Sequence, residues 1–395
     1  MSSSISRREF GRLAVLTGGA LAVTAGTASA APAATDWSKA VVDSTIARNP
    51  DPKSLGGWGY TQGLFLYGTY LVYQRLRTAS YLAYIKRWVD YSVDSKGHIN
   101  DAFNSLDSMQ AGNLLLILHR ETGDARYHTA AQQIRNRFPG YPRTSDGAMW
   151  HSTSFTQQLW CDGLYMAQPF LANYGKQYND GTYCFQEACH NLTTYFGHLT
   201  SPTGLLFHAY SADGKASWAN KTTHTSPYFW ARAVGWVALA HFDVLDALPA
   251  DDSRRAQLVK NVQQLVNAFV RYQDPATGRW FQVVDKGTDP QNWTETSASC
   301  MYTYAISRAV RAGYVPASLS SAAQKGYQGV LKKVTLGSDG RTNIADICPG
   351  TAVTGSLSGY YSRPRTANDQ HGLGTFLLMN EELTSHGSLG PDLGI

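Results

Sequence analysis

Wound as a helix, Gly63-Leu64-Phe65-Leu66-Tyr67-Gly68-Thr69-Tyr70-Leu71-Val72-Tyr73 is apolar around nearly its whole circumference. The next segment, Leu82-Ala83-Tyr84-Ile85-Lys86-Arg87-Trp88, carries its charges on one face. A helix that is apolar all round must be buried on every side, whereas an amphipathic one keeps a face for water. The pair therefore reads as an inner helix followed by an outer one. From Asp36 onward the same i, i+3, i+4 spacing recurs between turns marked by Gly, Pro, Asp or Ser. It predicts roughly twelve helices, at 36–48, 58–76, 79–93, 109–121, 125–138, 155–174, 181–198, 227–246, 253–272, 294–311, 316–333 and 366–382. Alternating inner and outer helices, joined antiparallel, make six helical hairpins, and a closed ring of these is an all-α, single-domain (α/α)6 barrel. An open solenoid of helix pairs is the alternative, but its stacked units would be near-equal in length and no fixed repeat is present.

The connections are unequal. Long polar or aromatic ones fall at Asp94–Ser108, Pro139–Ser154, Thr200–Ser226, Asp274–Trp293 and Leu336–Arg365. In a ring of hairpins alternate connections share one rim, so these segments are expected to line a pocket there. Ahead of the helices, Ser6-Arg7-Arg8-Glu9-Phe10, an apolar run from Leu13 to Val23 and Ala28-Ser29-Ala30 read as a twin-arginine export signal over residues 1–30. The expected arrangement is that leader, a catalytic domain over 31–384 and a loose tail over 385–395, giving a secreted chain with no membrane span after processing. The net charge of +5 drops by two when three arginines and one glutamate leave with the leader. So small a charge argues against a nucleic-acid partner. Five cysteines without a C-x-x-C pair argue against a zinc cluster or a disulfide framework, with pairing of Cys184 and Cys189 left open. Ten Trp, 23 Tyr and 14 Phe suit either a large core or a surface that stacks sugar rings.

Several residues could carry chemistry. Asp162 lies in an apolar helical run, Trp160-Cys161-Asp162-Gly163-Leu164-Tyr165-Met166, where a carboxylate is either hydrogen-bonded for structure or kept with a raised pKa for proton transfer. Asp107 precedes Gln110 by three residues, which reads equally as a helix cap and as a site carboxylate. Ser226-Pro227 resembles a helix start, placing Arg232 in the second turn on one face with Trp236, a guanidinium suited to an anion beside an indole suited to a sugar. His151 and His208 lie in long connections that should share the rim. Gly56-Gly57-Trp58-Gly59-Tyr60 leads an aromatic pair into an inner helix. Asp369-Gln370-His371 reads as the turn before the last helix rather than a metal site; no metal or cofactor is expected.

These stretches resemble the unsaturated uronyl hydrolases, glycoside hydrolase families 88 and 105, and more closely the unsaturated rhamnogalacturonyl hydrolases of family 105. The matching segments are Leu106-Asp107-Ser108, Trp150-His151, Trp160 to Met166 with Pro169-Phe170-Leu171, and Phe229 to Trp236. Glu295 to Ser299, Cys348-Pro349-Gly350-Thr351, Tyr360 to Pro364 and Asp369 to Gly374 continue the series across nearly all of the chain. The resemblance implies an (α/α)6 barrel with a deep pocket, Asp162 as proton donor, and Asp107, Trp58, His151, His208, Trp230, Arg232 and Trp236 at pocket positions. It departs at Ser152-Thr153, where some relatives carry a basic residue. The implied activity is release of a terminal 4,5-unsaturated uronic acid from lyase-generated oligosaccharides, by hydrating the C4=C5 double bond. A monomer is expected. Competing expectations are an inverting glycosidase using Asp107 and Asp162, a non-catalytic carbohydrate-binding protein, and a polysaccharide lyase.

Overall fold

The computed structural model describes residues 35–384. Thirteen α-helices are present among them: α1 (Trp37–Arg48), α2 (Tyr60–Leu76), α3 (Ala79–Asp90), α4 (Gly112–Thr122), α5 (Ala125–Arg137), α6 (Cys161–Gln177), α7 (Gly181–Leu199), α8 (Ala231–Ala247), α9 (Arg255–Arg271), α10 (Thr296–Arg311), α11 (Ser320–Leu331), α12 (Leu357–Tyr361) and α13 (Gln370–Thr384). Twelve match the expected segments; the short α12, inside the last long connection, was not expected. The proposed leader and tail lie outside the described residues.

Six helices form an inner ring. α2 packs on α4, α4 on α6, α6 on α8, α8 on α10, α10 on α13, and α13 returns to α2. That last contact closes the barrel and excludes the open solenoid. The outer helices α1, α3, α5, α7, α9 and α11 lie against the seams. The division follows the composition: along α8, fifteen of seventeen residues are buried, whereas the outer α9 buries seven of seventeen. No helix among the described residues is long and apolar enough to cross a membrane.

Chain direction then fixes where function can sit. Every connection leading into an inner helix is long and every connection leaving one is short, so the long ones meet at the rim where the inner helices begin. Six helix N-termini therefore point their partial positive charge toward one mouth. Four of them, α2, α4, α6 and α8, start without a side-chain cap.

Short antiparallel ladders tie neighbouring rim loops together. Ser105 bridges Ser152, β1 (Gln158–Trp160) pairs with β2 (Ala209–Ser211), and Trp230 bridges Val283. β3 (Trp280–Phe281) pairs with β4 (Thr294–Glu295) within one loop, as β5 (Val334–Leu336) does with β6 (Thr342–Ile344). Thr296 N–H donates to Asp346 O at 2.9 Å, and Gln370 Nε2 donates to Leu55 O at 2.7 Å.

These ladders explain two displaced helix starts. Residues 158–160 are taken by β1, so α6 begins at Cys161 rather than near 155. Ser226 does not cap α8: its N–H donates to Ala209 O at 2.8 Å and its hydroxyl accepts Ala209 N–H at 3.1 Å. The helix starts four residues later than expected, at Ala231, which moves Arg232 into the first turn. All five cysteines are free and buried. Cys184 and Cys189 are five apart on α7, pointing roughly 140° away from each other.

Candidate active site

The site assembles at the mouth where the rim loops meet. Asp162 is the second residue of α6, just past β1, and Cys161 N–H donates to His208 O at 2.9 Å. This strand-to-helix junction brings His208 Nε2 to 3.2 Å from Asp162 Oδ2, while Nδ1 of the same ring is 2.8 Å from the Tyr360 hydroxyl. His208 is wholly buried, packed against Trp160, Trp230 and Tyr360.

Asp107 lies in a single 3₁₀ turn, Leu106–Ser108, capped by Ser105, and α4 starts only at Gly112. The expected capping box with Gln110 is absent, which leaves the carboxyl free to face the pocket. Its Oδ1 is 3.8 Å from His151 Nε2. The His151 ring is stacked on Trp160 at 4.6 Å, and Phe155 covers the other end of that indole, also at 4.6 Å. Gly163 allows this approach: a Cβ there would lie 3.0 Å from Leu106 Cδ1 and 3.3 Å from His151 Nδ1.

The two carboxyls are driven in opposite directions. Burial pushes Asp107 up, and the nearby Asp162 adds to this against the opposing pull of His151. Asp162 is also pushed up by burial, but the His208 hydrogen bond and the electrostatic pull of His208, His151 and Arg232 outweigh it, so its net shift is downward. The expectation of a raised Asp162 pKa is thus corrected. An apolar surround alone would raise it; sequence does not reveal that His208, His151 and Arg232 converge there.

Arg232 is also corrected. Its terminal nitrogens donate to Ser297 Oγ (3.2 Å), Pro349 O (2.7 Å) and Cys348 O, and its plane lies 4.7 Å over the Trp230 ring. It was expected to face an anion beside Trp236; instead it stacks on Trp230, and its terminal nitrogens hold the 348–349 loop. Because its partners are neutral, its charge persists as a field across the pocket, lowering Asp162, Asp369 and His371.

Trp236 is 1% exposed, stacked on Tyr165 at 4.9 Å and met edge-on by Tyr60. It is a floor beneath the pocket, its face covered by protein. Trp230 is likewise buried. Trp58 stacks on Trp88 at 5.6 Å and donates Nε1 to Ser108 O at 2.7 Å, bracing the turn that carries Asp107.

Sequence reasoning left out Tyr60, Phe155, Trp160 and Tyr360 as site residues, and took Asp369 and His371 only as a turn. In the fold Tyr60 OH is 2.7 Å from His371 Nε2, and His371 Nδ1 is 2.6 Å from Asp369 Oδ1. The Tyr60 hydroxyl also borders the loop that Arg232 holds, 4.0 Å from where a Cβ on Gly350 would lie, and the charges of Asp107, Arg232, Asp162 and Asp369 reach it there. Its neighbour Trp58 was the cue available in sequence.

A helical barrel whose N-terminal mouth holds three carboxyls, three imidazoles and a wall of aromatic rings belongs to the glycoside hydrolase class. More particularly, the chain belongs to glycosyl hydrolase family 88, whose profile matches residues 37–385. It is 29% identical over 326 residues to the unsaturated rhamnogalacturonyl hydrolase YesR of Bacillus subtilis, covering 78% of this chain and 84% of that protein. A solved family 105 glycoside hydrolase of C. acetobutylicum superposes with a TM-score of 0.85 at 34% identity, over 89% of this chain and all of the other. The unsaturated glucuronyl hydrolase of Bacillus sp. GL1, at 13% identity and TM-score 0.65 over 88% and 97% of the two chains, shares the fold.

Proposed function

We propose that this glycoside hydrolase releases the terminal 4,5-unsaturated uronic acid from lyase-generated oligosaccharides, rhamnogalacturonan fragments in particular, by hydrating the C4=C5 double bond. The observation that carries the reading is the Asp162–His208 pair facing Asp107 and His151 inside a ring of helix N-termini. An anionic sugar is drawn to that field, and the Asp162–His208 pair, 3.2 Å apart, lies where a sugar ring would enter. Relatives named for this activity supply the reaction type. The leader at residues 1–30 supports action outside the cytoplasm, as part of the same proposal.

In the reaction Asp162 hands its proton to C4, the π electrons forming the new C–H bond. Positive charge then spreads over C5 and the ring oxygen, and water adds at C5, returning a proton to Asp162. The resulting hemiketal opens and C1 expels the neighbouring sugar. Aromatic walls keep bulk water away from the charged intermediate, and Asp107 with His151 holds sugar hydroxyls.

Turnover is followed as loss of the ultraviolet absorbance of the conjugated double bond. Unsaturated disaccharides with rhamnose next to the uronate should be consumed and their saturated counterparts left intact. Asp162→Asn should lower kcat by about 1,000-fold or more while thermal unfolding stays near the wild type. Cleavage of the saturated sugar would identify an ordinary inverting glycosidase instead, and binding without product a carbohydrate-binding protein. One observation favours a second assignment of roles: Asp107 is the carboxyl pushed upward, so it is the one more readily protonated. If Asp107→Asn abolishes turnover and Asp162→Asn retains a tenth or more of it, the donor is Asp107.

A further inference from the structure

The Tyr60–His371–Asp369 chain determines which way one hydroxyl proton points. Asp369 accepts both the backbone N–H of His371, at 3.0 Å, and its Nδ1, at 2.6 Å. Its pKa is net lowered: burial pushes it up, but hydrogen bonds from His371 and the charge of Arg232 outweigh that. An ionised carboxylate only accepts, so the imidazole proton resides on Nδ1. Burial and the charge of Arg232 hold His371 down, at about 4, against the pull of Asp369. The ring is therefore neutral at ordinary pH, Nε2 offers a lone pair, and Tyr60, 2.7 Å away, must donate to it. The proton of Tyr60 is turned toward α13, and its oxygen presents only lone pairs to the pocket it shares with Asp107, Asp162 and Arg232.

That orientation matters for the water of the hydration step. The water must keep a lone pair free for C5 while giving up a proton to Asp162. A hydroxyl free to rotate would compete by donating to that lone pair. One whose proton is committed elsewhere can only accept the second water hydrogen. We propose that His371 and Asp369 are positioning residues that hold Tyr60 as an obligate acceptor, so that its oxygen orients the water adding to C5. The proposal rests on the functional reading above.

Asp369→Leu keeps the branching of the side chain but removes the oxygen that accepts Nδ1–H. With nothing to hold it on Nδ1, the imidazole proton moves to Nε2 and turns the Tyr60 hydroxyl proton into the pocket. We expect kcat on the unsaturated disaccharide to fall about 10- to 100-fold, with KM within about twofold because the fault lies in the water and not in sugar binding. Tyr60→Phe should fall comparably, and the double variant no further than Tyr60→Phe alone, since Asp369 acts through that hydroxyl. With ¹⁵N-labelled histidine, the wild-type His371 resonance should report the Nδ1–H tautomer, and Asp369→Leu the Nε2–H tautomer. Should Asp369→Leu fold poorly, His371→Leu removes the acceptor and tests the same kcat loss. Multiplicative losses in the double variant, or a wild-type Nε2–H tautomer, overturn the proposal. A wild-type enzyme inert toward the unsaturated sugar overturns the functional reading, and the water-orienting role with it, whereas an active enzyme with the wrong tautomer overturns the positioning role alone.

Discussion

Asp107 and Asp162 are chemically identical side chains that the fold has made unlike, and the difference is one of company. Asp162 collects His208, His151 and the field of Arg232, which together override its burial; Asp107 has His151 alone to offset its own. A donor must be protonated, so a lowered Asp162 makes kcat/KM, which reports the free enzyme, decline from low pH upward. Bound uronate places a like charge beside that carboxyl and raises it. The descending limb of kcat is therefore expected at higher pH than that of kcat/KM, by about one unit, in profiles taken on one disaccharide; coincident limbs would refute the donor assignment. Asp243, on α8 and away from these groups, is pushed by burial, with Asp246 adding, to about 8. Between its unfolded value and 8 the folded state binds more protons than the unfolded one, so stability falls as pH rises through that window. Replacing it with Asn should give a gain in Tm that grows from about pH 5 to about pH 8.5, reaching a few degrees by calorimetry; a constant gain would show that its ionisation is not the cause.

At the level of elements, the rim ladders do what the helices cannot: they set the angle at which each side chain enters the mouth. The start of α10 shows how much can depend on one cap. The Glu295 carboxylate, wholly buried, accepts Ser297 N–H at 3.0 Å, Ala298 N–H at 2.6 Å, Ser297 Oγ–H at 2.7 Å and Cys348 N–H at 2.9 Å. It thereby ties the helix to the same 348–349 loop that Arg232 holds from the other side. Glu295→Gln keeps the shape but turns an amide NH2 toward donors, stranding at least one of them. Buried unsatisfied donors cost about 1–3 kcal/mol each, so a Tm fall of roughly 1–4 °C is expected for a domain of this size, with kcat reduced as the Arg232 loop loosens. An unchanged Tm would mean that the cap is dispensable. Its role was hidden in sequence because Cys348 lies 53 residues away.

For the whole molecule, closure is the decisive feature. α13 returns to α2 through glycines: a Cβ on Gly68 would come within 2.7 Å of Leu377, and one on Gly374 within 2.5 Å of Leu64. At the end of the barrel away from the mouth, Arg75 of α2 pairs with Asp36 at the start of α1 and with Glu381 of α13, at 2.8 and 2.9 Å. The first and last parts of the domain are joined there by one guanidinium. A stacked solenoid can lose a terminal unit and keep the rest, but a ring cannot, since both neighbours of the missing wall expose their apolar faces. Deleting α13 should leave a chain without a cooperative thermal transition. A soluble product that melts sharply would argue that the ring is not the unit of stability.

Sequence by itself determined the helical architecture, because inner and outer helices differ in how much of their circumference is apolar, and that pattern is local. It also brought Asp107, Asp162, His151 and His208 forward, since polar side chains in apolar runs or in long rim connections are visible without a fold. Tertiary structure alone decided the opposite shifts of Asp107 and Asp162, the occupation of Arg232 by loop carbonyls, the covering of Trp236, and the recruitment of Tyr60, His371 and Tyr360. Each of these depends on a partner tens to hundreds of residues away, brought within hydrogen-bond reach only when the ring closes, and an electrostatic environment is a sum over such neighbours that no local pattern contains.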